Sequence, residues 1–297
     1  MLKFLGRNAL SAMWRLSCLL RPWSVRVLGD TLGVAFYYVS SRYRNVAIDN
    51  LKAAYGDQMS EQQVRSTAKR VFRHFARGLF EFFYLTSLRP DQLDQLADIE
   101  GEENARSVLS EGKGCITITA HYGNWELMAR KMVLRGYKVN VIARDSDDPG
   151  MTGIGRKLRE SGGYKVYDKD QPLIGAFRAL KRNEILAILP DQNDSTGIFV
   201  DFFGRPASTA TGPAVLSLRS GAPLVPCFCA RDSNGKYKVT IHPRIQFEST
   251  GDEQADVHEL TALITAAIEQ EIRLHPEQWL WLHDRWKRLR EVKPDGH

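Results

Sequence analysis

Short apolar runs that alternate with helix-like segments are the feature that most restricts the fold of this 297-residue chain. From Ile99 onward, runs rich in β-branched residues predict buried strands, and the stretches between them carry apolar residues at helical spacing. Repeated strand–helix–strand units place helices on the faces of a sheet, so the pattern predicts an α/β fold. The predicted strands are Cys115–Thr119, Lys138–Ala143, Tyr164–Tyr167 and Ile185–Leu189.

The carboxyl-terminal third predicts an addition to this sheet. Two apolar runs, Pro223–Ala230 and Lys236–Ile241, flank an Asn234-Gly235 dipeptide, which is typical of the tight turn in an antiparallel hairpin. A long helix is predicted over Gln254–His275. We find no internal repeat and no low-complexity linker, so residues 41–297 are predicted to form a single domain.

The amino-terminal segment, residues 1–40, is predicted to be helical and to associate with a membrane surface. Charged residues and Pro22 interrupt Leu2–Val39, so no run reaches the roughly 18 apolar residues of a spanning helix. A secretory signal also fits poorly. Basic residues accompany aromatic ones suited to a headgroup boundary, namely Trp14, Trp23, Tyr37 and Tyr38. The alternative is a helical hairpin packed on its own domain.

Charge and cysteine content restrict the partners and the compartment. Lysine and arginine exceed the acidic residues, giving a net charge of +6, which favours anionic partners, although many soluble proteins carry a similar charge. No basic stripe or aromatic platform of a nucleic-acid-binding module is found, so no nucleic-acid partner is predicted. The four cysteines show no zinc spacing, which favours reduced core thiols, a cytosolic compartment and no metal site.

The candidate catalytic residues lie at the end of the first predicted strand. His121 follows Cys115–Thr119, and Glu126 begins a predicted helix, Trp125–Leu134. A histidine and a carboxylate at the carboxyl end of a strand are suited to general-base chemistry, with Glu126 holding the imidazole in one tautomer. A satisfied polar histidine is the alternative. No Gly-x-Ser-x-Gly elbow occurs, and no cysteine neighbours His121, which favours direct activation of a substrate hydroxyl.

A second group of polar residues is predicted to bind an anionic substrate. Asp191 follows the strand Ile185–Leu189, where it could cap a turn or pair with a basic residue. The basic candidates could equally belong to a solvated surface. Residues 202–213 are predicted to form a flexible loop, whose neighbouring phenylalanines could line an acyl pocket or fill the core. The predicted substrate-binding residues are Asn124, Arg144, Arg156, Arg159, Asp191 and Arg205.

Several motifs carry a family resemblance. His-Tyr-Gly-Asn-Trp-Glu at 121–126 resembles the His-x4-Asp/Glu motif of glycerolipid and lipid A acyltransferases. Its Asn-Trp-Glu part is similar to the late lipid A acyltransferases, the lauroyl and myristoyl transferases. The resemblance covers nearly the whole chain, although the family often has a clearer spanning anchor at its amino terminus. The further matching segments are Arg44–Leu51, Leu189–Gln192, Phe202–Gly204, Thr211–Ala214, Ser220–Pro226 and Trp279–Lys287.

The resemblance implies both a fold and a reaction. The fold would be a mixed sheet flanked by helices, as in glycerolipid acyltransferases, at the cytoplasmic face of an inner membrane. The donor would be an acyl thioester on acyl carrier protein or coenzyme A, the acceptor a hydroxyl of a phosphorylated glucosamine lipid, and no cofactor would be needed. His121 and Glu126 would be catalytic without an acyl-enzyme, and Arg159 would have Asp191 as its companion.

Two alternatives to this interpretation remain open on the sequence. Within the enzymes, the chain could acylate a lysophospholipid or another glycolipid outside lipid A. Outside them, it could be a non-catalytic membrane-surface protein that binds phosphate groups, although the intact His121 and Glu126 argue against this.

Overall fold

The computed structural model describes residues 12–143, 149–168 and 173–292. Residues 12–19 are helical. The helices that follow are α1 (Pro22–Val39), α2 (Ser41–Tyr55), α3 (Glu61–Tyr84), α4 (Pro90–Asp94), α5 (Glu102–Ser110), α6 (Trp125–Leu134), α7 (Pro149–Glu160), α8 (Ile174–Lys181), α9 (Gly212–Ser220), α10 (Glu253–Leu274) and α11 (Lys287–Val292). The strands are β1 (Ala97–Glu100), β2 (Cys115–Ile118), β3 (Val139–Ala143), β4 (Lys165–Asp168), β5 (Ile185–Ile188), β6 (Ile198–Phe202), β7 (Arg205–Thr209), β8 (Leu224–Arg231) and β9 (Tyr237–Ile241).

A seven-stranded mixed sheet forms the centre of the molecule, in the order β1-β9-β8-β2-β5-β3-β4. Strands β2 and β5 are buried along their whole length, as their mainly apolar sequences predict for strands covered on both faces, and Thr117 of β2 is their one polar residue. Only the β8–β9 pair is antiparallel in this sheet, and it is the hairpin predicted around Asn234-Gly235. The predicted α/β class with a mixed sheet flanked by helices is therefore confirmed.

Strands β2 and β5 also set the position of the residues that follow them. The two strands are parallel neighbours, and Ile118 lies opposite Ile188. The segments that follow two parallel strands of matched register begin side by side at the same edge of the sheet. His121 and Asp191, each three residues past this pair, are therefore brought together.

The amino-terminal helix α1 packs one face closely on α3. A Cβ on Gly29 would lie 2.6 Å from Cα of Arg77, and one on Gly33 would lie 2.6 Å from the carbonyl oxygen of Phe72. The carboxylate of Asp30 on α1 also accepts hydrogen bonds from Arg73 and Arg77 on α3. The α3 helix itself begins at a capping box, in which Ser60 and Gln63 exchange hydrogen bonds.

The outer face of the amino-terminal helices remains apolar and exposed. Leu19 is 85% exposed and Val39 is 83% exposed, and Trp23 and Tyr38 also face solvent. Two of the predicted headgroup residues lie elsewhere, because Tyr37 is buried and Trp14 donates a hydrogen bond to Thr86 in a partly buried position. No helix in the described parts of the chain is both long and apolar enough to cross a membrane.

One interpretation of the second half of the sequence was wrong. The segment predicted as a flexible loop over residues 202–213 is largely the antiparallel hairpin β6–β7, followed by the start of α9. The aromatic segment near the carboxyl terminus lies in the core, where Trp279, Trp281 and Trp286 are buried. Phe202 and Phe203 pack against these tryptophans, which fixes the hairpin.

Candidate active site

A histidine and a buried carboxylate form the centre of the candidate site. The Nδ1 atom of His121 lies 2.9 Å from Oδ1 of Asp191, and the backbone N–H of His121 donates to Oδ2 over 2.9 Å. The indole N–H of Trp279 donates to the same Oδ2 over 2.8 Å. Because a carboxylate accepts, Nδ1 carries the hydrogen and Nε2 keeps its lone pair. His121 is thereby held as a base with a free Nε2.

Asp191 is suited to this role because it stays ionised although its side chain is fully buried. Burial by itself raises the pKa of the carboxyl group. The charge of His121 and the hydrogen bonds from His121 and Trp279 outweigh this effect, so the pKa lies below its ordinary value. A carboxylate that remains charged can stabilise the imidazolium formed when His121 takes up a proton.

Glu126 belongs to a different pair. Its Oε1 accepts hydrogen bonds from Nε and Nη2 of Arg159 over 3.0 and 2.9 Å, and its Oε2 accepts one from the hydroxyl of Tyr164. The prediction that Glu126 holds His121 and that Asp191 accompanies Arg159 is therefore corrected, because the two carboxylates have exchanged partners. Glu126 is separated from His121 by a turn, whereas Asp191 follows the neighbouring strand β5 in the same register in which His121 follows β2.

The turn between His121 and Glu126 depends on glycine and asparagine. Gly123 has a φ of +60°, and a Cβ there would lie 1.9 Å from the carbonyl oxygen of Cys229. Asn124 was predicted to bind substrate, but its side chain is buried and fully engaged. Its Oδ1 accepts from the N–H of Leu127 as the cap of α6, and its Nδ2 donates to Glu81 over 3.2 Å.

The remaining basic candidates are placed differently from one another. Arg159 lines the cleft described below, whereas Arg156 on the same helix is not among its lining residues. Arg205 is exposed at the start of β7. Arg144 lies outside the described residues. Of the three arginines that the structure describes, Arg159 is the one that lines the same cleft as His121.

A cleft of about 650 Å³ opens in front of His121. Glu126, Arg159 and Tyr164 lie on its wall, and so does His283, which lies within the aromatic segment near the carboxyl terminus. The ring of Trp125 packs edge-on against His121 with their centroids 5.3 Å apart. Apolar side chains complete the lining, among them Met128, Val141, Ile142, Leu173, Leu189 and Leu216. The cleft thus offers a base, a guanidinium and an apolar wall together.

Three residues of this site were missed in the sequence. Trp279 orients Asp191, Tyr164 binds Glu126, and His283 lines the cleft. Trp279 and His283 lie in the segment Trp279–Lys287, which the sequence analysis singled out only as a matching segment. Polar groups among its tryptophans are the signal that this segment contributes to a site. Tyr164 carried no such signal, since it stands next to an ordinary strand, directly before β4.

A mixed sheet here presents a carboxylate-bound histidine to a partly apolar cleft, an arrangement suited to an enzyme that uses a histidine base on a partly apolar substrate. The chain belongs to the bacterial lipid A biosynthesis acyltransferase family, whose sequence profile matches residues 2–288. The protein is therefore an acyltransferase, and the predicted family is confirmed.

Its relatives differ in their acceptors. The chain is 27% identical over 273 residues to the lipid A biosynthesis lauroyltransferase of Escherichia coli (strain K12), covering 91% of this chain and 86% of the relative. It is 25% identical over 264 residues to the palmitoleoyltransferase of the same organism, covering 88% and 84%. It is 28% identical over 223 residues to the phosphatidylinositol mannoside acyltransferase of Mycobacterium tuberculosis (strain CDC 1551 / Oshkosh), covering 71% and 67%.

Proposed function

We propose that the protein transfers a fatty acyl chain from an acyl thioester to a hydroxyl of a phosphorylated glucosamine lipid, a lipid A precursor. The thioester would be carried by acyl carrier protein or coenzyme A. The observation that carries this proposal is the free Nε2 of His121, fixed by Asp191 at the wall of a cleft that also holds Arg159 and apolar side chains.

The reaction follows from this geometry. His121 Nε2 takes the proton of the acceptor hydroxyl, and the hydroxyl oxygen forms a bond to the thioester carbonyl carbon. Asp191 stabilises the resulting imidazolium. The tetrahedral intermediate then expels the sulfur, which receives the proton from His121. The acyl group thus passes directly from sulfur to the acceptor oxygen, the proton passes from the acceptor to sulfur through His121, and no acyl-enzyme forms.

Glu126, Arg159 and Tyr164 are proposed to serve substrate binding. Arg159 is held by Glu126 with its side chain 27% exposed, so its guanidinium can present charge to the cleft. A guanidinium is suited to a phosphate oxygen, because its planar N–H groups match the oxygen geometry. In this proposal Glu126 belongs to the catalytic site as the residue that positions Arg159.

The amino-terminal helices are proposed to hold the enzyme on a membrane surface, at the cytoplasmic face of the inner membrane. Their exposed apolar residues include Leu19, Trp23 and Val39, and basic residues lie among them at exposed positions. Apolar side chains buried in the acyl boundary together with basic ones near anionic headgroups favour binding in the plane of the interface. Such attachment would bring a lipid acceptor to the cleft. The exposed basic residues are Arg15, Arg21 and Arg26.

His121→Ala tests the proposal most directly. Loss of the base should lower the rate of acyl transfer by at least about 10²-fold, because proton transfer by a positioned base contributes roughly this much to a rate. The rate is measured on purified protein with an acyl thioester donor. His258→Ala, at an exposed position of α10, is the matched control. Near-normal turnover in His121→Ala would contradict the proposed mechanism.

Mass spectrometry of cellular lipids tests the acceptor. Lipid A from cells with and without this chain should differ by the mass of one acyl group, which also gives the chain length. The second candidate function is acylation of a glycolipid outside lipid A, favoured by the 28% identity to a phosphatidylinositol mannoside acyltransferase. An acyl difference confined to other lipids would establish that alternative instead.

The net charge of +6 gives a further prediction. If acidic carriers or acceptor phosphates are drawn to the enzyme, transfer should slow several-fold between about 0.05 and 0.5 M salt, because screening shortens the range of the attraction. Initial rates at several salt concentrations measure this. A flat response would show that long-range charge does not contribute to substrate capture.

A further inference from the structure

His283 is a second histidine of the cleft, and its position is fixed by its neighbours. The chain from Trp279 to His283 runs beside the catalytic histidine, with the N–H of Leu280 donating to the carbonyl oxygen of His121 over 3.0 Å. The side-chain amide of Asn50 donates to the carbonyl oxygen of His283 over 2.7 Å. Both ends of this short segment are therefore tied to the core, and the imidazole of His283 is carried on a rigid backbone at the cleft wall.

One hydrogen bond determines which ring nitrogen of His283 carries the hydrogen. The backbone N–H of Asn193 donates to Nε2 of His283 over 3.0 Å. A nitrogen that accepts from an N–H cannot itself be protonated, so the hydrogen of the neutral ring lies on Nδ1. His121 and His283, which both line the cleft, are thus bound in complementary ways: His121 keeps a lone pair on Nε2, and His283 keeps an N–H at Nδ1.

The charges around His283 keep its ring neutral. Burial lowers the pKa of His283, and the acidic Asp191 acts against this effect. The positive charges of His121 and Arg285 lower the pKa further, Asp284 raises it, and the balance lies below the ordinary value for histidine. A neutral ring agrees with the acceptor role of Nε2 toward Asn193.

The Nδ1–H group of His283 is left for a ligand. Across residues 12–143, 149–168 and 173–292, no protein atom accepts a hydrogen bond from it, although the ring lines the cleft that holds His121. A neutral donor is suited to a carbonyl oxygen, whereas the guanidinium of Arg159 is the better partner for a phosphate. A neutral donor also adds no positive charge beside the base.

We propose that His283 is a further catalytic residue, whose Nδ1–H donates to the carbonyl oxygen of the acyl thioester and stabilises the oxyanion formed there. The inference rests on the proposed acyl transfer. As the acceptor oxygen bonds to the carbonyl carbon, the π electrons move to the carbonyl oxygen, and the hydrogen bond from His283 strengthens. When the carbon–sulfur bond breaks, those electrons return to re-form the carbonyl, and His121 protonates the departing sulfur.

A pair of substitutions separates the two sides of the ring. In His283→Gln, the longer side chain can still accept from Asn193 at the place of Nε2 but lacks a donor at the place of Nδ1. In His283→Asn, the side-chain amide reaches the place of Nδ1 and can still donate into the cleft. Comparing the two variants therefore separates the effect of the donor at the place of Nδ1 from the effect of the contact between Nε2 and Asn193.

The two variants should differ in kcat. His283→Gln should lower kcat by about 10²- to 10³-fold with little change in KM, as when one oxyanion donor is removed, and His283→Asn should recover at least about tenfold of that loss. A solely structural role predicts equal losses in both variants together with a lower melting temperature. Equal losses, or a kcat for His283→Gln within about threefold of the unsubstituted enzyme, would overturn the proposal.

Nitrogen NMR of the histidine side chains gives a measurement independent of turnover. In the full-length protein at neutral pH, His283 should show a protonated Nδ1 and an unprotonated Nε2. The Nδ1–H resonance should shift when a ketone analogue of an acyl thioester, with methylene in place of sulfur, is added. A hydrogen on Nε2 would overturn the proposal even if acyl transfer is established. If instead the unsubstituted protein transfers no acyl group, the proposed function fails, whichever tautomer is found.

Discussion

The cleft contains two pairs of a carboxylate and a cationic or basic partner, and they differ in how the fold builds them. Asp191 meets His121 across two adjacent parallel strands, and its side chain is fully buried beneath Trp279. Glu126 meets Arg159 between the first turn of α6 and the last turn of α7, with the arginine partly open to the cleft. The closest approach is 2.9 Å in both pairs, so the difference lies in setting and in chemistry.

The two partners determine what each pair can do. An imidazole changes its protonation near neutral pH, so the buried carboxylate beside it can support proton transfer. A guanidinium remains charged at any working pH, so Glu126 can only position it and offset its charge. One pair therefore suits the chemical step and the other suits substrate binding.

The largest expected loss of activity comes from Asp191→Asn, which breaks the pair of Asp191 and His121. The amide cannot stabilise the imidazolium of His121 and can favour the wrong tautomer, so we expect kcat to fall by about 10³- to 10⁴-fold. Single-turnover rates with saturating substrates measure this loss. Asp98→Asn, an exposed aspartate paired with Lys236, is the control. A loss smaller than that of Glu126→Gln would reverse the roles assigned to the two pairs.

Glu126→Gln should have a smaller effect that falls mainly on KM. The guanidinium of Arg159 would lose its two charge-assisted hydrogen bonds and its orientation, and we expect kcat/KM to fall by about 10- to 10²-fold. Initial rates at varied acceptor concentration measure it. Glu253→Gln is the matched control, since it breaks an Arg–Glu contact of 2.9 Å with Arg219 on the exposed surface. An effect confined to kcat would indicate that Glu126 acts on the base after all.

Much of the fold could be predicted because local patterns determine it. The mainly apolar β2 and β5, the capped α3 and the Asn234-Gly235 hairpin each follow from their own residues. The β6–β7 hairpin could not, because its turn at Phe203-Gly204 combines a bulky residue at a φ of 57° with a glycine. That conformation is stabilised by packing against distant tryptophans rather than by the local sequence.

The members of the site could be predicted better than their pairing. His121, Glu126, Arg159 and Asp191 were all identified as site residues, and all four line or adjoin the cleft. Closeness along the chain suggested His121 with Glu126, although Gly123 turns the chain between them. The correct pairing depends on strand order, since β2 neighbours β5 only after a crossover through β3 and β4. A sequence pattern does not contain that order.

The smallest expected effect concerns the free energy of unfolding and how the contribution of Asp191 to it changes with pH. The folded protein holds the pKa of Asp191 below the value of about 3.9 found in unfolded chains, so unfolding takes up a proton as the pH falls. The stabilisation by ionised Asp191 is therefore complete above about pH 5 and is lost toward and below the folded pKa. Asp191→Asn lacks this contribution and should be less stable by about 1–3 kcal/mol at pH 6. The difference in free energy of unfolding between Asp191→Asn and the unsubstituted protein, measured by urea unfolding, should become smaller as the pH approaches 3. A difference that stays constant over this range would show that the charge of Asp191 is not what stabilises its pair.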